Sequence, residues 1–429
     1  MHELEKLVKL QKEGTARGIC SICSSNIFVI DAAIVQAVRK NTSVLIEATA
    51  NQVNQMGGYT GMKPADYRDL VYERPARYGL PQDRIILGGD HLGPVAWKKM
   101  DSDQAMNLAD ELVYEFSKAG YSKIHLDASM PLGDEVTLST EEIADRTVRL
   151  CKIAEKGFAE YKAKHPEAIS PVYIIGSEVP TPGGSGEEDE LSVTKPQALT
   201  EMLECFQEKF SDAGLKDAWK RVIGAVVQPG VEFGNEGIHA YIPEEATMLM
   251  NTAKSLSSIV LEGHSTDYQS KESLRKMVCD GVAILKVGPA LTFAAREGLF
   301  GLAFIEKELS FDEPSNFMEV LEDAMMKEPG NWNGHYPNEE PTAKLMRRFS
   351  LSDRCRYYMN VPEVEAAIDK MISNLKSRDI PCGLMSQFLP TQYKKIREGQ
   401  LSNDPYDWVI DKVCETLDEY WYAAGLMEE

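Results

Sequence analysis

The stretch 18–26, GICSICSSN, decides between the two folds that its surroundings allow. It is the first of eight short apolar runs rich in Val and Ile, and each run is followed by a longer segment with helical spacing. Continuous apolar strands that alternate with helices indicate a parallel sheet covered on both faces. A dinucleotide-binding open sheet would place G-x-G-x-x-G after its first strand, whereas Ser24–Asn26 follows here. Because eight such units close a (β/α)8 barrel, we predict an α/β protein with a TIM barrel.

The eight predicted strands lie in the first two thirds of the chain. They are Gly18–Ser24, Val44–Thr49, Arg84–His91, Ser122–Ala128, Val172–Val179, Val222–Pro229, Ser258–His264 and Val282–Pro289. After about residue 300 the strand pattern stops and the apolar spacing becomes helical. The helices predicted there are Met318–Met326, Val361–Leu375, Pro390–Arg397 and Asp407–Ala424. We predict a barrel over residues 1–305 and a mostly helical C-terminal extension over residues 306–429, packed on the barrel.

The charge balance limits the partners. The 46 Lys and Arg residues against 67 Asp and Glu residues leave a net charge of −21, which repels phosphodiester backbones and anionic membranes. We therefore expect neither nucleic acid nor a membrane as a partner. The eight cysteines are scattered through apolar runs, as is typical of reduced thiols, and we interpret the C-x-x-C pair Cys20 and Cys23 as ordinary strand residues. These features predict a soluble, cytoplasmic protein, and we expect a homo-oligomer.

Polar residues close most of the predicted strands. Seven of the eight runs end in ionisable or amide side chains, and His125 and Asp127 have the i, i+2 spacing that puts both on one face of a strand. The residues at these ends are Glu47, Asp90, His91, His125, Asp127, Glu178, Gln228, Glu262, His264 and Lys286. In a barrel the carboxyl ends of the strands meet at one mouth. The sequence therefore predicts that these residues surround a single cavity.

Two histidines and a carboxylate at three of these strand ends predict a metal site. Neutral imidazole nitrogen and carboxylate oxygen are natural ligands of Zn²⁺, Mn²⁺ or Co²⁺, so we expect a divalent ion of this kind, with Ni²⁺ also open. The predicted ligands are His91, Glu178 and His264, with Gln228 or His125 to complete the coordination. Another interpretation stays open for Glu47, His125 and Glu262, since an inward polar residue can also be hydrogen-bonded within the barrel interior.

A substrate phosphate would need a positive pocket against the acidic background. The chain has no G-x-x-x-x-G-K-[ST] motif, so neither a P-loop kinase nor a bound nucleotide is expected. The candidate phosphate ligands are Ser265, Thr266, the backbone N–H groups of Gly288–Leu291, Arg354 and Arg356. The run 346–358, MRRFSLSDRCRYY, contains these two arginines and could equally be a charged helix face.

Several long stretches resemble one protein family. They are GICSICSS, LIEATANQVNQMGGYTGMKPADY, IILGGDHLGP, SKIHLDAS, GSEVPTPGG, VVQPGVEF, EGHSTDYQ, AILKVGPALTFAAREGLF and SLSDRCRYYM. Together they span essentially the whole chain, which resembles the GatZ/KbaZ family. Proteins of that family are named as accessory subunits of D-tagatose-1,6-bisphosphate aldolase and are sometimes labelled tagatose-6-phosphate kinases.

The family is similar in turn to class II, metal-dependent ketose-bisphosphate aldolases. That resemblance implies a barrel and a divalent metal, and it implies that Asp90-His91 matches the Asp-His pair at the end of an early aldolase strand. His264, in the string GHST, looks like a later metal histidine of the aldolases. The other aldolase histidine has no clean counterpart, because the corresponding strand ends in Gln228.

Members of the family are also linked to 4-epimerisation of ketohexoses or their 6-phosphates. The resemblance therefore implies a metal-dependent epimerase that interconverts fructose and tagatose forms by cleaving and re-forming the C3–C4 bond. The residues assigned to proton transfer and charge neutralisation are Asp90, Asp127, Glu178 and Lys286. Those assigned to the sugar or its phosphate are Glu47, Asn51, His125, Ser265, Thr266, Gly288, Arg354 and Arg356. The alternative is a non-catalytic subunit whose partner is a separate catalytic aldolase subunit.

Overall fold

Eight parallel strands close into a barrel in the computed structural model, which describes residues 1–177 and 191–427. The strands are β1 (Ile19–Cys23), β2 (Val44–Thr49), β3 (Ile85–Leu92), β4 (Lys123–Leu126), β5 (Val172–Ile175), β6 (Val222–Val227), β7 (Val260–Gly263) and β8 (Val282–Val287). Around the ring each strand pairs with its neighbours in sequence, and β1 pairs with β8. The predicted TIM barrel is confirmed.

Each predicted strand overlaps an observed one, and the differences lie at their ends; β3 runs one residue past its predicted end, to Leu92. β4 stops at Leu126 instead of Ala128, and β6 stops at Val227 instead of Pro229. After β6 the backbone turns to a loop, because the N–H of Gln228 donates to the hydroxyl of Thr194 at 2.9 Å. Residues 178 and 179, which the sequence places at the end of the fifth strand, lie outside the described residues.

Helices cover the barrel and build the C-terminal extension. The α-helices of the described residues are α1 (Glu3–Lys12), α2 (Ile27–Arg39), α3 (Pro64–Glu73), α4 (Pro75–Tyr78), α5 (Ser102–Lys118), α6 (Thr140–Lys164), α7 (Pro196–Asp212), α8 (Lys216–Trp219), α9 (Pro243–Ser255), α10 (Lys271–Asp280), α11 (Pro289–Leu309), α12 (Phe317–Lys327), α13 (Thr342–Phe349), α14 (Pro362–Lys376), α15 (Cys382–Phe388), α16 (Pro390–Arg397) and α17 (Pro405–Ala423). Short 3-10 helices occupy Gly58–Thr60, Gln82–Arg84, Pro94–Trp97, Pro329–Asn331 and Arg354–Tyr358. A two-stranded antiparallel ladder joins Glu232–Phe233 to Ile238–His239. Within the described ranges, no helix combines the length and apolar character needed to cross a bilayer.

The barrel interior changes from apolar to polar along its axis. Ile86, Ile174 and Ile284 pack with Leu4 and Leu7 of α1 in one buried cluster. Helix α1 therefore closes the amino-terminal end of the barrel with apolar side chains. The buried charged and imidazole side chains lie towards the other end, where the carboxyl termini of the strands meet.

The C-terminal extension shares its core with the barrel. Helix α17 packs against α2, α10 and α11, and the buried side chains of Trp408, Leu417 and Tyr420 belong to the same hydrophobic cluster as the outer face of the barrel. The domain boundary expected at residue 305 falls inside α11, which continues to Leu309. The extension is thus a layer added to the helical ring, and its last helix covers the barrel next to the first strands.

Candidate metal centre

A cavity opens at the carboxyl ends of the barrel strands, beneath the C-terminal extension. Its volume is about 90 Å³, counted as space for the centres of water-sized molecules. The predicted site residues that line it are Asn51, Asp90, His91, His264, Ser265, Lys286, Gly288 and Arg356. The barrel thus brings together residues that are more than 200 positions apart in the sequence, as the strand pattern predicts.

Four buried side chains form a cluster at the bottom of this cavity. Asp90 and His91 end β3, His125 belongs to β4, and His264 follows β7. One nitrogen or oxygen atom of each residue lies within 4.8 Å of the corresponding atoms of the other three. The ring centroids of the three histidines are 4.9 to 5.3 Å apart. This spacing would allow all four side chains to reach a common ion.

His91 is oriented by a carboxylate behind it. Its Nδ1 lies 2.8 Å from Asp127 Oδ2, and the other oxygen of Asp127 accepts a hydrogen bond from the Ser129 hydroxyl. Burial opposes ionisation of Asp127, but the hydrogen bonds from His91 and Ser129 keep its pKa below the ordinary value. An ionised carboxylate can only accept, so Nδ1 of His91 carries the proton and Nε2 keeps its lone pair. His91 also has a φ of 48°, an unusual backbone conformation for a bulky residue that places strain at this strand end.

His125 shows the same arrangement with a different acid. Its Nδ1 lies 3.0 Å from Asp90 Oδ1, and the backbone N–H of His91 donates to the same nitrogen at 3.2 Å, so the contacts at Nδ1 do not by themselves place the lone pair on Nε2. His125 Nε2 is buried and has no hydrogen-bond partner among the described residues. Burial and the neighbouring His91 lower the pKa of His125 to about 4, so the ring is neutral at pH 7. An unsatisfied buried nitrogen is costly, and a bound cation would satisfy it.

His264 completes the set. Its Nε2 lies 3.0 Å from Glu262 Oε1, a carboxylate two residues earlier on β7. Burial lowers the pKa of His264 to about 3 despite the opposing attraction of Glu262. Because Glu262 accepts, Nε2 donates the hydrogen bond and the lone pair lies on Nδ1.

The three histidines therefore fit a divalent metal ion by the chemistry of their donors. His91 and His264 each donate from one ring nitrogen to a carboxylate and keep a lone pair on the other, as metal-bound histidines do in proteins, and His125 has a carboxylate beside its Nδ1. Burial keeps His125 and His264 neutral, which is the form that binds metals. The predicted ligands His91 and His264 belong to this cluster, and His125 joins them. The predicted ligand Glu178 lies outside the described residues.

Lys286 contributes a positive charge beside the cluster. Its ammonium group contacts Asp90 and lies 3.9 Å from Glu262 Oε1. Burial lowers the pKa of Lys286, while the nearby Cys23 and Glu47 oppose that shift. The side chain lines the cavity, so it is placed to meet negative charge that develops on a bound molecule.

Three predicted site residues are held elsewhere by hydrogen bonds. The side-chain oxygen of Gln228 accepts from the N–H groups of Gly230 and Val231, at 2.8 and 3.0 Å, so Gln228 caps a turn and lies outside the histidine cluster. The hydroxyl of Thr266 donates to the carbonyl of Lys286 at 2.6 Å. Arg354 donates to the carbonyl of Asn331 at 2.6 Å and does not line the cavity.

Glu47 lies in the barrel interior, fully buried, where its Oε1 is 2.7 Å from Lys123 Nζ. Glu47 is therefore paired within the barrel interior, which is the second of the two interpretations that the sequence left open for it. Its neighbour Gly88 is required there, because a Cβ atom at this residue would lie 2.4 Å from Glu47 Oε1. The cavity itself does not reach Glu47.

The predicted phosphate pocket is partly occupied by a carboxylate. Asp267 Oδ1 accepts from the N–H groups of Gly288 and Ala290, at 3.0 and 2.8 Å, so the first turn of α11 is already capped. Burial raises the pKa of Asp267 to about 6 against these hydrogen bonds and the nearby Arg356. Ser265 and Arg356 are the predicted phosphate ligands that line the cavity with side chains, and the guanidinium of Arg356 also donates to the carbonyl of Asp353 and the hydroxyl of Tyr357.

Sequence reasoning missed three residues of this region. Lys123 could have been found from its spacing. Lys123, His125 and Asp127 are every second residue of the predicted strand Ser122–Ala128, and every second residue of a strand faces the same side. Cys23 lies close to Glu47 and Asp90, although burial raises the pKa of its thiol. Asp267 follows the predicted phosphate residues directly in sequence, but its role as a helix cap depends on where α11 begins.

Comparison with known proteins identifies the family. The family model for "D-tagatose-1,6-bisphosphate aldolase subunit GatZ/KbaZ-like" matches residues 4–425. The chain belongs to this GatZ/KbaZ-like family. A relative from Salmonella dublin, "D-tagatose-1,6-bisphosphate aldolase subunit GatZ", is 44% identical over 424 residues, which cover 98% of this chain and 99% of the relative. The resemblance seen in the sequence motifs is thereby confirmed.

One solved structure shares the fold of this GatZ/KbaZ-like chain over nearly its full length. A crystal structure from Sinorhizobium meliloti 1021, described as "a probable tagatose 6 phosphate kinase", has a TM-score of 0.85 and 43% sequence identity, and the match covers 95% of this chain and all of that one. A fructose-bisphosphate aldolase from Campylobacter jejuni is more distant, with a TM-score of 0.44 and 17% identity over 87% of this chain and 92% of that chain. At that distance no residue of the aldolase can be matched to a residue here.

Proposed function

We propose that this protein functions as a subunit of a tagatose-1,6-bisphosphate aldolase, together with a separate catalytic aldolase subunit. The observation that carries the proposal is the match to the GatZ subunit, which extends over nearly the full length of both chains. The sequence predicts the subunit function as the alternative to an epimerase. The family match supports the subunit function more directly than it supports epimerisation.

Co-expression tests the subunit proposal. The catalytic subunit of a tagatose-1,6-bisphosphate aldolase from the same source would be produced alone, with this chain, and with an unrelated TIM-barrel protein. We expect this chain alone to increase the soluble yield of the catalytic subunit, to co-purify with it and to increase its aldol cleavage activity. Equal yield and activity in all three preparations, without co-purification, would contradict the proposal.

A second function is favoured by the cluster of His91, His125 and His264. A purely supporting role does not account for three buried imidazoles clustered with Asp90, two of which, His91 and His264, line a cavity. We therefore propose, as a second candidate, 4-epimerisation of a ketohexose or its 6-phosphate in this cavity. When bound, a divalent ion would supply the Lewis acid that stabilises the negative charge formed as the C3–C4 bond of the sugar breaks.

The remaining side chains of the cavity suit the other requirements of that reaction. Asp90 is the carboxylate of the cluster and also lines the cavity, so it is the candidate base for the C4 hydroxyl proton. Lys286, which contacts Asp90, would neutralise negative charge on the sugar oxygens. Asp127 is engaged with His91 and Ser129, and its role is to orient the histidine.

Direct assay separates the two candidates. Purified protein without any partner would be incubated with fructose 6-phosphate, and separately with fructose, in the presence of Zn²⁺, Mn²⁺, Co²⁺ or Ni²⁺. The epimerase proposal predicts a tagatose product that disappears on addition of EDTA and in the Asp90→Asn variant. Absence of product with every metal would refute it and leave the subunit function untouched.

A further inference from the structure

Lys123 is a fully buried cation inside the barrel, one layer below the histidines. Its ammonium nitrogen lies 2.7 Å from Glu47 Oε1 and 2.8 Å from Glu262 Oε2. None of the three side chains has measurable solvent exposure. A charged group so deep in a protein is costly unless it is closely paired, so this arrangement requires an explanation.

The contact with Glu262 connects Lys123 to the candidate metal centre. One oxygen of Glu262 meets Lys123, and the other oxygen accepts the hydrogen bond from Nε2 of His264 at 3.0 Å. Glu262 Oε2 thus contacts Lys123 in the barrel interior, and Oε1 of the same carboxylate contacts His264 in the cluster. Rotation of the carboxylate would break both contacts together.

We propose that Lys123 is a positioning residue of the metal centre, which fixes the Glu262 carboxylate so that His264 keeps its proton on Nε2 and its lone pair on Nδ1. The inference rests on the metal centre described above and adds a residue that does not touch the ion. Without Lys123, the Glu262 carboxylate loses the contact that holds one of its oxygens and is free to rotate, so it would no longer hold His264 in one tautomer. Residues that orient metal ligands in this way are worth about 10- to 100-fold in metal affinity.

The test uses two matched variants of the full chain. Lys123→Met removes the buried cation between Glu47 and Glu262. Arg347→Met removes another buried cation between two carboxylates, because Arg347 lies 2.6 Å from Glu322 and 2.7 Å from Glu340 in the C-terminal extension, away from the cavity. Both variants should lose thermal stability, so stability alone does not distinguish a positioning role from a structural one.

Affinity for Zn²⁺, measured by competition with a chelating dye, makes the distinction. We expect Lys123→Met to bind Zn²⁺ about 10- to 100-fold more weakly than wild type, and Arg347→Met to stay within about twofold, as distant sites do. Equal affinity in wild type and Lys123→Met would overturn the role of Lys123 and leave the metal centre intact. A wild-type protein that binds no Zn²⁺ would overturn the centre itself.

A measurement on the wild-type protein covers the case in which Lys123→Met does not fold. Nitrogen-15 NMR of histidine-labelled protein without metal reports which ring nitrogen carries the proton, and the His264→Gln spectrum identifies the signal. The proposal predicts the Nε2–H tautomer for His264. The Nδ1–H tautomer would overturn it.

Discussion

At the residue scale, the centre consists of three histidine–carboxylate pairs. His91 with Asp127 and His264 with Glu262 each join an imidazole to a buried acid, and His125 does so with Asp90. The pairs of His91 and His264 each fix a tautomer, so the free nitrogens of these two rings are defined before any ion arrives. Pre-organisation of this kind lowers the entropy cost of binding.

His125 provides the sharpest test at this scale, because its Nε2 has no hydrogen-bond partner within the described residues. We expect His125→Ala to reduce the affinity for Zn²⁺ by at least about 100-fold, more than the loss of an orienting residue. His165→Ala is the matched control, since His165 is exposed at the end of α6. Calorimetric titration of both variants measures the difference. Unchanged affinity in His125→Ala would remove this histidine from the centre.

Asp267 predicts a pH dependence of stability. Burial raises its pKa from 3.8 to about 6, so the folded protein binds this proton more tightly than the unfolded chain. The resulting stabilisation is present below about pH 4 and is lost as the pH rises to about 6, a change of up to about 3 kcal/mol. Asp267→Asn removes this titration and can still accept the N–H hydrogen bonds of α11. Its free energy of unfolding relative to wild type should therefore rise between pH 4 and pH 7, as urea unfolding at each pH would show. A constant difference would contradict this account.

The sequence predicts only those residues of the site that lie at the ends of the apolar strand segments. His91, His264, Asp90 and Lys286 were expected around one mouth because each ends an apolar run, and the structure places them there. The carboxylates behind His91 and His125 were not predictable, because those contacts join neighbouring strands and depend on their register, and the contact of His264 with Glu262 depends on side-chain rotamers. The same reason explains why Gln228 was expected in the cluster, since a strand-end amide can also turn back and cap its own loop.

At the element scale, the 3-10 helix Arg354–Tyr358 brings a positive charge from the extension to the barrel mouth. It begins at Asp353, which pairs with the buried Arg296 of α11 at 3.2 Å and accepts from Thr292 at 2.6 Å. This anchor holds Arg356 on the cavity wall, while Arg354 faces Asn331. The two arginines were equivalent candidates in the sequence, but within this one short helix their side chains reach different places.

That separation predicts different effects of two similar substitutions. Arg356→Ala should weaken binding of tagatose 6-phosphate by about 10- to 100-fold, the value of a charge-assisted hydrogen bond, and should change the affinity for unphosphorylated tagatose much less. Arg354→Ala should bind both sugars like wild type. Calorimetry with both ligands gives the comparison. Equal losses for the two sugars, or a larger loss in Arg354→Ala, would show that Arg356 does not bind the phosphate.

The elements themselves were largely readable from the sequence. All eight strands occur where the sequence predicts them, because burial on both faces leaves a continuous apolar run, and helices such as α14 and α16 follow the helical apolar spacing. The boundary between the barrel and the extension, placed at residue 305, was harder to predict, because α11 continues through this position to Leu309 with the same helical spacing. No local signal marks a boundary when the next helices pack on the same core.

At the scale of the whole molecule, the barrel and the extension fold as one unit. Helix α17 buries Trp408, Leu417 and Tyr420 against α2, α10 and α11. Loss of one such large buried side chain costs about 3 to 5 kcal/mol, and a typical domain has only about 5 to 15 kcal/mol of net stability. We therefore expect a fragment of residues 1–305 to be insoluble or to lack a cooperative thermal transition, in contrast to the full chain. Circular dichroism melting would show it, and a sharp transition in the fragment would contradict the shared core.

The most direct test of the account is the metal content of the whole protein. Wild type, His91→Ala and His264→Ala would be saturated with Zn²⁺, dialysed against metal-free buffer and analysed by inductively coupled plasma mass spectrometry. The account predicts one tightly held ion per chain in wild type and a stoichiometry near zero in both variants, each still folded by circular dichroism. A wild-type chain that retains no ion, or variants that retain as much as wild type, would contradict the claim that these buried histidines form a metal centre.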